Sequence, residues 1–78
     1  MRLEIKISDA VGMQDGYVAY EVFVHDTVYA QKHLLNSLKL IWRKEDRCWY
    51  GSGYVMIPRA IAEGVLFDKY VKALTRKA

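Results

Sequence analysis

The stretch Leu38 to Gly51 narrows the possible folds more than any other, because two tryptophans seven residues apart flank the charged run Arg43-Lys44-Glu45-Asp46-Arg47. Strands on either side of such a turn bring the rings together across a hairpin while the charges stay in water. Trp42 and Trp49 are therefore expected to be near each other and largely buried, with Ile41–Arg43 and Cys48–Tyr50 as the two arms. Gly51-Ser52-Gly53 then reads as a bend, and Tyr54 to Ile57 as a further short strand.

The flanking segments fit around this hairpin. Leu3, Ile5 and Ile7 alternate with Arg2, Glu4 and Lys6, the period of a half-buried strand. Ser8 to Gly16 has two glycines, two aspartates and no period, so it reads as a loop, with Val11 and Met13 turned back onto the core. Tyr17 to His25 is the longest strand. Val18, Tyr20, Val22 and Val24 share one face, and the partly apolar second face places the strand inside the sheet, antiparallel to the first.

Asp26 and Thr27 are both acceptable N-caps, and Val28, Leu34, Leu35, Leu38 and Ile41 suit the apolar side of a helix over 28–40. Lys32, Asn36, Lys39 and Arg43 recur at helical spacing on its other side, which is either a solvated face or a phosphate-contacting one. Pro58 opens a second helix to about Arg76, with Ile61, Ala62, Val65, Leu66, Tyr70, Val71 and Leu74 on its apolar side. Gly64 within it is the expected place for a kink. Lys72, Arg76 and Lys77 complement the helix dipole at its end.

The expected fold is an α+β domain of order ββαββ(β)α, a small, mainly antiparallel sheet with two helices packed on one face. At 78 residues the chain is expected to form a single domain over 1–78, and 53% hydrophobic content excludes a disordered segment. The lone Cys48 cannot pair internally, which favours a reducing, cytoplasmic setting. The alternating N-terminus does not read as a signal peptide, and no apolar run spans a membrane.

Little in the chain points to catalysis. His25, His33 and Cys48 lack the close spacing of a zinc site, and Cys48 reads as a small packed side chain rather than a nucleophile. Glu45-Asp46 lies in an exposed turn without an apolar pocket to raise a carboxyl pKa. Gly51-Ser52-Gly53 is too short for a phosphate-cradling loop and lacks the lysine and hydroxyl that follow one. No enzyme activity, cofactor or metal is expected.

Charge distribution is more informative. Net charge is +3, and the whole excess lies between Lys32 and Arg47, where Lys32, Lys39, Arg43, Lys44 and Arg47 face Glu45 and Asp46. Such a concentration is the electrostatic footprint sought for a polyanion. Trp42, Trp49, Tyr50 and Tyr54 lie beside it, as stacking partners for bases or as core residues. The candidate nucleic-acid-binding residues are thus Lys32, Asn36, Lys39, Arg43, Lys44 and Arg47.

The run Leu35-x-x-Leu38-x-x-x-Trp42-Arg43-Lys44-Glu45-Asp46-Arg47-Cys48-Trp49-Tyr50, followed by a proline-led helix, resembles the HARP domain that accompanies annealing and fork-remodelling helicases. Trp49-Tyr50-Gly51 to Ile57-Pro58 also looks like the N-terminal DNA-binding domain of the phage UvsW helicase. Over residues 28–74 this resemblance implies an accessory module recognising single-stranded or branched DNA. Arg43, Lys44 and Arg47 match the charged turn, and Trp42 and Trp49 the flanking aromatics. The helicase motor is missing, so such a module works in trans or has another use. Two functions are thus expected: a non-enzymatic DNA-binding module, phage or mobile-element encoded, or a small phage-type inhibitor or adaptor that binds a host protein complex.

Overall fold

The computed structural model describes residues 1–10 and 16–75. The placement of Val11 and Met13, and of Arg76 and Lys77 at the end of the second helix, lies outside the described residues. Four strands form one antiparallel sheet: β1 (Arg2–Asp9), β2 (Val18–His25), β3 (Ile41–Arg43) and β4 (Cys48–Val55), in the order β1-β2-β4-β3. Helix α1 (Lys32–Ser37) follows β2 after a 3-10 turn at Tyr29–Gln31, and α2 (Arg59–Thr75) follows β4.

Side-chain alternation and register together sort the sheet into two faces. Leu3, Ile5 and Ile7 lie opposite Val24, Val22 and Tyr20, and Val24, Val22 and Tyr20 lie opposite Trp49, Gly51 and Gly53. This face carries the core, where Ile5, Val22, Val24 and Trp49 close against Leu35, Leu40, Leu66, Tyr70 and Leu74 from the helical side. The α+β architecture with both helices on one face is thus present, and β2 lies inside the sheet as its two apolar faces require.

Two glycines of β4 let the helical side approach. A Cβ at Gly53 would lie 2.8 Å from Tyr20 Oη, and one at Gly51 would lie 2.5 Å from Leu40 Cδ2. Side chains from β2 and from the residue just before β3 occupy the space these residues leave empty. Gly51-Ser52-Gly53 is therefore not a bend: β4 continues unbroken to Val55 and takes in Tyr54 and Val55 of the separate strand expected at Tyr54–Ile57, while Met56 and Ile57 lie outside any strand.

The first helix is much shorter than the expected 28–40. A 3-10 turn and six helical residues end at Ser37, and Lys39 adopts a left-handed φ of 63° that turns the chain into β3. Leu35 and Leu40 are buried, whereas Val28 and Ile41, assigned from sequence to the same apolar side, are exposed. Neither Asp26 nor Thr27 caps this helix. Asp26 itself sits at φ 56°, and Gln31 reaches back so that its Oε1 accepts the Val28 N–H at 3.0 Å.

In α2 the buried stripe is Ala62, Leu66, Tyr70 and Leu74, a strict four-residue spacing. Ile61 and Val65, expected on the apolar side, lie about 100° around the helix from their buried neighbours and face outward. The helix continues without interruption through Gly64. Arg59 Nη1 donates to Asp9 Oδ1 at 2.6 Å, joining the start of α2 to the end of β1.

Candidate functional site

With both helices on one side, no element among the described residues covers the opposite face of the sheet. Its rows follow from the register: Glu4, Phe23, Tyr50 and Ile41 lie side by side across all four strands, and Lys6, Glu21 and Ser52 form the next row. Ser8, Ala19 and Tyr54 form a third. β-branched and aromatic residues are favoured on such a pleated surface, which accounts for the ring pair at its centre.

Phe23 and Tyr50 have ring centroids 5.2 Å apart at 58°, within the range of favourable tilted aromatic pairs. His25 stacks beside Phe23 at 6.4 Å. A cation stands over each central ring: Lys6 Nζ lies 5.1 Å from the Phe23 centroid, and the Arg43 guanidinium lies 4.5 Å from that of Tyr50. Both distances are in the range where the ring quadrupole attracts a positive charge.

Hydrogen bonds fix these groups. The Tyr50 hydroxyl donates to Glu21 Oε2 at 2.7 Å, and Arg43 Nε pairs with Asp46 Oδ2 at 2.9 Å across the β3–β4 turn. That turn closes through Asp46 N–H to Arg43 O and Arg47 N–H to Lys44 O, with Arg47 left-handed at φ 49°. Lys44 and Arg47 are exposed at its tip. His25 Nε2 is buried and has no hydrogen-bond partner among the described residues, the nearest carboxylate oxygen being Glu4 Oε1 at 3.6 Å.

The structure separates the residues that the sequence grouped. Tyr50 lies on an inner strand of the open face with the guanidinium of Arg43, from the edge strand β3, over its ring; Tyr54 is exposed farther along the face, and Lys44 and Arg47 flank it at the turn. Trp42 and Trp49 do meet across the hairpin, centroids 6.0 Å apart at 67°, but on the helical face of the sheet. There Trp49 is 8% exposed and Trp42 50%, so one of the two expected burials is absent. Trp42 instead lines an apolar cleft of about 410 Å³ with Val28, Tyr29 and Lys32.

Lys32, Asn36, Lys39 and Arg43 do not share a helical stripe, because the helix ends before Lys39 and Arg43 belongs to a strand. Lys32 Nζ lies 5.7 Å from the Tyr29 ring centroid, away from the open face, and Asn36 is exposed on α1. Phe23 and Lys6 were not singled out from the sequence as binding residues, and His25 was weighed there only as a metal ligand. Their alternation with core residues was visible, but the uncovered state of their face depends on where both helices pack.

Cys48 is buried beside Arg43 in the hairpin register, and its thiol pKa is raised chiefly by burial and secondarily by the charge of Asp46, with Arg43 acting in the opposite sense. That environment disfavours the thiolate. Among the described residues no group of three His, Cys, Asp or Glu side chains converges as a metal site would require. No helix among them is long and apolar enough to cross a membrane.

No protein-family model, curated protein or solved structure matches the chain, so the resemblance to HARP and UvsW domains draws no support from these comparisons.

Proposed function

We propose that the protein is a binding module for single-stranded or branched DNA, which it engages on the open face of its sheet. The observation that carries this reading is the Phe23–Tyr50 pair on two neighbouring strands, with Lys6 and Arg43 over the rings and, among the described residues, no element covering them. Unpaired bases have π-faces that stack on such rings, and phosphates need the cations beside them. A strand laid across the sheet from the turn would pass Arg47, Lys44, Arg43 and Lys6 in succession. Glu21, held by the Tyr50 hydroxyl, marks the side of the rings that phosphates would avoid.

The test is a salt-titrated binding assay with single-stranded, duplex and forked DNA on two variants whose folding is verified by circular dichroism. Phe23→Leu with Tyr50→Leu keeps apolar volume but removes both stacking faces, and is expected to weaken single-stranded binding by about 1–3 kcal/mol per base unstacked. Arg43, Lys44 and Arg47 replaced together by alanine are expected to reduce the slope of log affinity against log salt by roughly 0.7 per lost phosphate contact on a single strand. Affinity and slope that stay unchanged in both folded variants would remove this reading. A second reading, recognition of a protein partner, is favoured by the unpaired edge of β4.

A further inference from the structure

β3 and β4 differ greatly in length. β3 pairs with β4 at Cys48, Trp49 and Tyr50 alone, while β4 runs on to Val55 with β2 along its other side. Lys39, left-handed at φ 63°, turns the preceding chain away from the line that would have prolonged the pairing. Among the described residues, therefore, no strand lies beside the outer edge of β4 from Gly51 to Val55, and no backbone hydrogen bond from outside the sheet reaches it.

Proteins usually protect such edges with charges, prolines, bulges or a covering element. The other edge strand, β1, carries Arg2, Glu4 and Lys6. Gly51-Ser52-Gly53-Tyr54-Val55 carries no charge and no proline, and three of its first residues are too small to keep another backbone away. A cavity of about 340 Å³ lies along the start of this edge, bounded by Lys39 and Leu40 on one wall, Lys69 and Tyr70 on another, and Gly51 and Ser52 at its base. None of its lining residues is acidic, and neither lysine has an ion-pair partner among the described residues.

We infer that the outer edge of β4 over residues 51–55 is a docking site for an extended, acidic segment of another protein, which joins the sheet as an added strand. Main-chain hydrogen bonds to alternate residues of 51–55 supply affinity, as in other strand-addition complexes. Every second side chain of the added segment then faces the helical side, where Lys39 and Lys69 select carboxylates. A second copy of this chain is the less suitable occupant. Two such edges paired about a twofold axis would set the lysines of both copies along one joint, where like charges repel.

The experiment selects binders for the full chain from a displayed library of random twelve-residue peptides, and measures synthetic copies by titration and amide hydrogen exchange. Expected are peptides with Asp or Glu at alternate positions that slow the exchange of outward-facing amides within 51–55. Lys39→Asp with Lys69→Glu, both at exposed positions and the first compatible with a left-handed backbone, should weaken them by about tenfold or more while circular dichroism stays unchanged. The inference is overturned by peptides that lack acidic residues, by protection confined to other segments, by indifference to the double charge reversal, or by a library that yields no binder. A free protein that sediments as a dimer with residues 51–55 already protected would assign the edge to a second copy instead.

Discussion

Single residues in β4 and α2 show how the same substitution acts in opposite directions. At Gly53 an added methyl meets the Tyr20 ring, at 2.8 Å from Oη and 3.0 Å from Cζ, so the ring must shift from its packing against the core. Gly53→Ala is expected to cost about 1–3 kcal/mol as overpacking. At Gly64 nothing lies within 4 Å of the added atom, and the residue is helical and exposed. Gly64→Ala should instead stabilise by about 0.5–1 kcal/mol, since alanine has less unfolded-state entropy to lose. Urea midpoints of the two variants on opposite sides of wild type would bear this out, and a destabilised Gly64→Ala would contradict it. The helical cost of Gly64 was readable from the sequence. The need for glycine at 53 was not, because the alternation of β2 gives Tyr20 a face but says nothing of which residue on the next strand it covers.

At the scale of elements, strands were more legible than the first helix. The strict alternation of β1 and β2 and the charged turn between β3 and β4 each follow from local pattern; all three form, with the apolar faces of β1 and β2 inward and, of the two hairpin tryptophans, Trp49 alone buried. Thirteen residues with helical spacing after Asp26 became a 3-10 turn and six helical residues, because only Leu35 is buried in that short helix and the chain must turn at Lys39 to enter β3. The cap moved with it. Gln31 accepts the Val28 N–H, while Asp26 occupies a left-handed turn where a β-carbon is unfavourable. Gln31→Ala is accordingly expected to cost about 0.5–2 kcal/mol, as loss of a capping hydrogen bond does, and Asp26→Gly to be neutral or stabilising. Thermal unfolding of the two variants decides this: loss of stability in Asp26→Gly with none in Gln31→Ala would return the cap to Asp26. The same shortening broke the stripe of Lys32, Asn36, Lys39 and Arg43, so the candidate surface moved from a helix to the sheet.

Across the whole molecule, one face of the sheet carries the core and the other is the proposed binding surface, and Tyr70 is the residue through which the stability of the first can be measured. It lies in the buried stripe of α2 against the core, and its phenol pKa is pushed from the ordinary 10.0 up to about 12, first by burial and then by the neighbouring Tyr20 hydroxyl. The folded protein therefore keeps a proton that the unfolded chain releases. Stability from this group is complete below pH 10 and is lost as pH rises from 10 toward 12, by an amount on the order of 3 kcal/mol when the two-unit shift is fully expressed. In Tyr70→Phe the ring and its packing remain but the ionisation is gone. The variant starts less stable, having lost the contact with Tyr20, yet its stability should fall less steeply over that interval. Urea unfolding of both proteins at several pH values from 9 to 12 measures the difference in slope, and parallel curves would mean that Tyr70 is not held between helix and sheet as the structure places it. DNA binding measured near neutral pH should be the same in both proteins, because Tyr70 faces the helical side and the proposed stacking surface lies on the other.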